Sequence, residues 1–318
     1  METKKINRLM LGIFLLHIAV VIFLMLTAGR FHIGIILNLS LGEIILLLPA
    51  LLYLLFYRLQ PQKDGEEKEP MKTRLYYNRV KPSTIAYTII FTLLSMPLTT
   101  LINAISMLFV DNTILSMTEV ILELPFLLML FLMAIVPACC EELVFRGITY
   151  GGYRKNGTKF MAVMLSALMF GLMHMNLNQA LYAFAIGIFL ALLMEATGSV
   201  WPTMLFHFIY NAQSCCLMFF MDALMPDYYQ NAANMGAMQE ELFMVISVYL
   251  VIAAIFTPFA FCMLYKIAKN ENRVEELTEC LPKKQHGRGK LVTVSLVLAT
   301  VIAAAYIIWD MIITAMMI

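Results

Sequence analysis

Six residues in the middle of the chain have the types and spacing from which hydrolytic chemistry is built. Glu141, Glu142 and Arg146 fall within six residues of one another inside an otherwise apolar run. Glu142 and Arg146 are four apart, so on a helix they share a face and pair. Glu141 points about 100° away from Glu142 on such a helix. A second carboxylate beside a fixed ion pair is free to hold a water and accept its proton. His174 closes the stretch Phe170-Gly171-Leu172-Met173-His174, and His207 and Asn211 lie four apart on a later run, hence on one helix face. A glutamate and a histidine flanking one water suit hydrolytic attack, and a second histidine with an asparagine supplies hydrogen bonds to a developing oxyanion. Zinc is the alternative: Glu141, His174 and His207 would be its ligands and Glu142 the base. The spacing is not HExxH, and the reading without a cofactor is favoured.

These residues must be positioned by helices in a bilayer. The 318-residue chain is 61% hydrophobic and only 14% charged, with mean hydropathy +0.81. A soluble domain is about 25% charged, so a soluble enzyme, a disordered chain and a nucleic-acid binder are excluded. Apolar runs at 9–28, 33–57, 83–110, 125–150, 160–175, 180–196, 200–221, 242–265 and 291–310 predict an all-α, polytopic bundle of eight or nine spans. Lys and Arg cluster at 4–8, 58–81, 154–159 and 266–290, whereas Asp111 and Asp222 to Glu241 mark the opposite connections. By the positive-inside rule the N-terminus is cytoplasmic. The segments 60–82 and 266–290 read as solvated linkers, giving N-terminal spans at 1–118, a core at 119–221 and C-terminal spans at 222–318. No P-loop or Gly-rich dinucleotide motif occurs, and the six cysteines show no metal-site spacing.

Three charges at mid-span would together cost about 8–10 kcal/mol if unpaired, so they are expected to line a cavity. Pro137, one turn before Glu141, removes a backbone hydrogen bond and permits a kink. Glu141 is 14 residues from Lys155 and His174 is 15 from Lys159, which is about 21 and 22 Å of helix. His207 and Asn211 lie nine and thirteen residues beyond Gly198, about 14 and 20 Å. The polar residues therefore come out level, in one layer with access expected from the cytoplasmic side. His17, His32 and His286 read as structural or solvated.

In order, Glu141-Glu142-x-x-x-Arg146, Phe170-x-x-x-His174 and His207-x-x-x-Asn211 resemble the motifs of the CAAX prenyl protease and bacteriocin-processing (CPBP, or Abi) family of intramembrane endopeptidases. The resemblance covers roughly 125–221. It implies hydrolysis of a peptide bond in a membrane-embedded or prenylated, CAAX-like protein, in a multi-pass protein of a bacterial cell membrane. By that resemblance Glu141 and His174 activate water, His207 and Asn211 stabilise the oxyanion, and Glu142 and Arg146 hold the geometry. The partners implied are the lipid bilayer and a peptide or lipidated protein substrate. Two other classes fit buried polar residues: a non-catalytic immunity or scaffold protein of the same fold, and a proton path or transporter. No internal repeat supports the latter.

Overall fold

The computed structural model describes residues 2–27, 34–60, 69–112, 114, 117–225, 235–282 and 290–317. Lys63, Lys68, Asp227, Lys283, Lys284, Arg288, His32 and His286 lie outside them, as do residues 61–68 of the linker expected at 60–82. Among the described residues the chain forms twelve helices. They are α1 (Glu2–Leu26), α2 (Ile35–Leu59), α3 (Met71–Arg74), α4 (Pro82–Ser106), α5 (Thr118–Leu122), α6 (Phe126–Asn156), α7 (Lys159–Met173), α8 (Leu177–Thr197), α9 (Val200–Leu224), α10 (Met235–Asn270), α11 (Val274–Thr278) and α12 (Val294–Met317). No strand occurs among the described residues. Among the described residues eight helices are long and apolar enough to cross a membrane, which makes this an integral, multi-pass membrane protein. Each of the nine apolar runs became a helix. The shortest, α7, has 15 residues, or about 22 Å, less than the about 30 Å hydrocarbon core.

Local chemistry sets the breaks that matter. The Thr158 hydroxyl accepts from Met161 N at the start of α7, and Asn176 Oδ1 accepts from Gln179 N at the start of α8. Ser199 caps α9 in the same way through Trp201 N. Between α8 and α9, Gly198 has φ +64°, a left-handed conformation that glycine adopts without a Cβ clash. At the other end of α8, Met175 holds φ +56°. A non-glycine residue there costs roughly 1–2 kcal/mol. It ends α7 abruptly and leaves His174 at the turn, inside the bundle rather than beyond it.

The connections sort onto two faces. On one face, Asn7 Nδ2 donates to Leu291 O at 2.9 Å and to Thr293 Oγ1 at 2.8 Å. Lys155 pairs with Glu69 at 2.6 Å, Asn78 donates to Gly198 O at 2.8 Å, and Arg74 pairs with Glu2. Buried Glu195 gathers Arg154 at 2.6 Å, Lys159 at 3.0 Å and the Tyr150 hydroxyl at 2.8 Å, and its carbonyl accepts from Arg273 Nε at 2.8 Å. The basic connections expected on one side therefore share one side. The described part of the 60–82 segment is not a free solvated linker. It forms α3 and a turn that bury Leu75 and Arg74, because Arg74 finds Glu2 and Tyr76 O accepts from Val200 N at 3.0 Å. The 266–290 segment is likewise partly structured, since α10 runs on to Asn270 and α11 follows. On the opposite face, Asn178 Nδ2 donates to Asn103 Oδ1 and Ser106 Oγ, both at 2.8 Å, tying the start of α8 to the end of α4.

Candidate active site

The helix carrying the two glutamates is irregular. Within α6, Phe131–Ile135 and Leu143–Tyr150 are π-helical, with wider turns than an α-helix. Pro137 offers no N–H to the carbonyl four residues before it, that of Met133. Asn211 Nδ2 from α9 donates to Met133 O instead, at 3.1 Å.

Glu142 and Arg146 are fully buried and joined at 3.0 Å. Glu142 Oε1 also receives His207 Nδ1–H at 2.9 Å. That bond fixes the ring so that Nε2 points toward Glu141, with Nε2 and Glu141 Oε2 3.9 Å apart. Phe170 is the spacer. Its ring lies against Arg146, whose guanidinium sits 4.3 Å from the ring centroid. It meets His174 edge-on at 5.3 Å and His207 at 5.8 Å. His174 Nδ1–H donates to Phe170 O at 2.9 Å, so its Nε2 is the nitrogen left for chemistry.

Two helix backbones approach closely to make this possible. A Cβ on Gly171 would lie 2.6 Å from Ala180 O, and one on Gly187 2.8 Å from Ala167 Cα. Only hydrogen fits at either place, so α7 and α8 lock together with Phe170 and His174 at their contact.

Glu141, His174, His207 and Asn211 line one cavity of about 350 Å³. Glu142 and Arg146 lie behind it, in the packed interior. Asn211 both lines the cavity and spends one N–H on Met133, leaving one of its two donors for another acceptor. Much of the remaining lining is apolar and includes Leu39, Ile114, Met117, Leu132 and Met218. These residues come from the beginning of α2, the segment after α4, the first turns of α6 and the later turns of α9. All lie on the side of the Glu141 layer away from the basic face. The sequence suggested access from the basic, cytoplasmic side, and this cavity instead runs the other way. The reason is packing: toward the basic face, Val144, Phe145, Ile148 and Val163 fill the interior.

The cavity also contains Glu43, from α2, which the motif reading passed over. The signal was present. Glu43 is a lone carboxylate in the apolar run 41–52, and an ionisable residue in a span marks a functional site by default. Its carboxyl lies within hydrogen-bonding reach of that of Glu141.

The zinc alternative needs Glu141, His174 and His207 to converge on one point. Among the described residues no group of three or more His, Cys, Asp or Glu side chains is placed to hold a metal ion. As they stand, these side chains do not form such a ligand set, and no step below runs through a metal.

Comparison with known proteins agrees with the motifs. The family model described as "Type II CAAX prenyl endopeptidase Rce1-like" matches residues 123–213. Over 84 residues the chain is 31% identical to the Bacillus subtilis (strain 168) protein named "Putative membrane peptidase YdiL". That stretch is 26% of this chain and 34% of the relative, so the chain spans about a third of the curated relative's length. No solved structure matches. The matched segment holds all three motifs and every cavity residue named from them, and over that segment the chain is similar to CAAX-type membrane endopeptidases of the CPBP family.

Proposed function

We propose that this chain hydrolyses a peptide bond of a membrane-embedded or prenylated, CAAX-like substrate inside the bilayer. The observation that carries the reading is the approach of Glu141 Oε2 to His207 Nε2, 3.9 Å across a cavity that His174 and Asn211 also line. That gap is too long for a direct hydrogen bond and leaves room for reacting groups beside both.

Glu141, with His174 Nε2, binds a water and takes its proton as the oxygen attacks the scissile carbonyl carbon. The carbonyl π-bond opens and the oxygen becomes an oxyanion. His207 in its protonated form donates from Nε2 to that oxygen, and Asn211 donates its free N–H. Glu142 holds the imidazolium through Nδ1, and Arg146 holds Glu142. The tetrahedral adduct then collapses. Its C–N bond breaks, and the proton held by Glu141 passes to the leaving nitrogen. The products are a carboxylic acid and an amine, and Glu141 is again a carboxylate.

The basic face is proposed to be cytoplasmic, with the N-terminus on that side, from the excess of Lys and Arg there. The cavity then faces the far leaflet. Purified chain in lipid nanodiscs, given fluorogenic peptides with and without a farnesyl group, tests the activity. Cleavage by the wild type and none by Glu141→Gln is expected. An inactive wild type whose biological role is also restored by Glu141→Gln would favour a binding or immunity protein of the same fold. Loss of cleavage with a chelator, restored by zinc, would overturn the reading without a metal.

A further inference from the structure

His174 belongs to two cavities. Besides the one it shares with Glu141, it lines a second of about 630 Å³. The walls of this second cavity come from α1 (His17), the segment after α4 (Asp111), the start of α8 (Asn178) and α12 (Tyr306, Asp310). Met175, at φ +56°, turns the chain so that His174 and Asn178 border the same space. Strained residues of this kind cluster at functional sites. Asp111 is exposed, so the cavity leads from the face away from the basic connections inward to His174. Cavities of about 300–1,000 Å³ are the size that takes a small ligand, here a peptide of a few residues.

The two cavities differ in chemistry. Much of the Glu141 cavity is apolar, whereas the second presents oxygen acceptors: the carboxyls of Asp111 and Asp310 and the amide of Asn178. Asn178 is 1% exposed. Its Nδ2 is spent on Asn103 and Ser106, and its Oδ1 is buried with no hydrogen-bond partner among the described residues. His17 Nδ1 is likewise buried and unpartnered. Among the described residues the lining holds no Lys or Arg. Such a wall suits a cation that donates N–H bonds. Peptide hydrolysis makes one new group of that class. The leaving nitrogen becomes an α-amine, which takes a further proton from water at neutral pH.

We propose that the second cavity binds the hydrophilic cleavage product, a short peptide whose new α-ammonium is recognised by the oxygens of Asp111, Asn178 and Asp310. The apolar part of the substrate stays in the Glu141 cavity, and the released fragment passes His174 and leaves by the polar one.

This inference rests on the hydrolase reading, and a binding measurement separates them. The probe is the tripeptide Ala-Leu-Ala with an amidated C-terminus, compared with its N-acetyl form, which has the same length and no ammonium. The chain has two tryptophans. Trp309 stacks on Tyr306 at 5.4 Å, so in a Trp201→Phe background its fluorescence reports on this cavity without turnover. The free-amine tripeptide is expected to change that fluorescence and to inhibit cleavage competitively. The N-acetyl form should bind about tenfold more weakly or worse, as should the free amine to Asp310→Asn and to Asp111→Asn, each of which loses a charge-assisted hydrogen bond. Asp111 is exposed, so its variant keeps the test open if Asp310→Asn misfolds. Amine-dependent binding by a wild type that cleaves nothing would uphold the site and sink the hydrolase reading. Cleavage by a wild type that neither binds the free-amine tripeptide nor is inhibited by it would overturn the proposal. Equal binding of the two tripeptides, or unchanged binding in both folded variants, would overturn it as well.

Discussion

The side-chain amide of Asn211 donates to the carbonyl of Met133 at 3.1 Å, the acceptor that Pro137, four residues on, leaves without its helical donor. One interaction thus joins α9 to α6 beside the cavity and gives that carbonyl a side-chain donor. Asn211→Leu should destabilise the protein by about 1–3 kcal/mol, the usual cost of an unsatisfied buried polar group. In the Pro137→Ala background, where a backbone N–H is restored, the same change should cost measurably less. Thermal unfolding of the two single variants and the double variant in detergent measures the coupling. Strict additivity would show that Asn211 does not stand in for the missing N–H.

Glu141→Gln removes the proton acceptor without changing size. Loss of general-base catalysis corresponds to about 10²–10⁴-fold in rate. Melting temperature and membrane insertion should be unchanged, because the buried ion pair belongs to Glu142. Steady-state cleavage and a thermal scan of the same sample check both halves.

Breaking that pair should be a stability event. Glu142 is 0% exposed and Arg146 1%, so removing one partner leaves an uncompensated buried charge, at about 3–5 kcal/mol. Arg146→Met is expected to lower the yield of folded protein sharply. Replacing both as Glu142→Leu with Arg146→Met should recover much of the fold and none of the cleavage, since His207 Nδ1 then has no acceptor. Folded yield by size-exclusion chromatography and activity of the recovered fraction separate the two effects.

Gly171 and Gly187 permit the contact that brings Phe170 and His174 to the cavity. Gly187→Val would force its side chain into the Ala167 backbone, whose Cα would sit 2.8 Å from the new Cβ. Overpacking of this kind costs about 1–3 kcal/mol. Cleavage should fall further than stability, because α7 must move and His174 moves with it. Comparing kcat at a temperature well below the melting transition tests this.

Opposite placement of the two faces has a direct readout. In a variant with the native cysteines replaced, Lys155→Cys and Asp111→Cys should react with an impermeant thiol reagent from opposite sides of sealed vesicles. Lys155→Cys is expected to be protected in right-side-out vesicles. Labelling of Lys155→Cys from the outside would reverse the orientation.

Helical class, the number of apolar runs and the pairing of Glu142 with Arg146 were legible in the sequence because each rests on local spacing. Hydropathy over about 20 residues and an i, i+4 offset need no knowledge of the rest of the chain. The level depth of Glu141, His174 and His207 followed from the 1.5 Å rise alone. Three things needed the tertiary structure. Met175 in a left-handed turn ends α7 at His174, and no residue type announces it. The cavity runs away from the basic face because apolar side chains from α6 and α7 fill the interior on that side. Glu43 meets Glu141 only because α2 packs against α6, across a separation of 98 residues that no periodicity reports. Local rules state what each helix is. Which side chains meet is decided by the packing of all of them together.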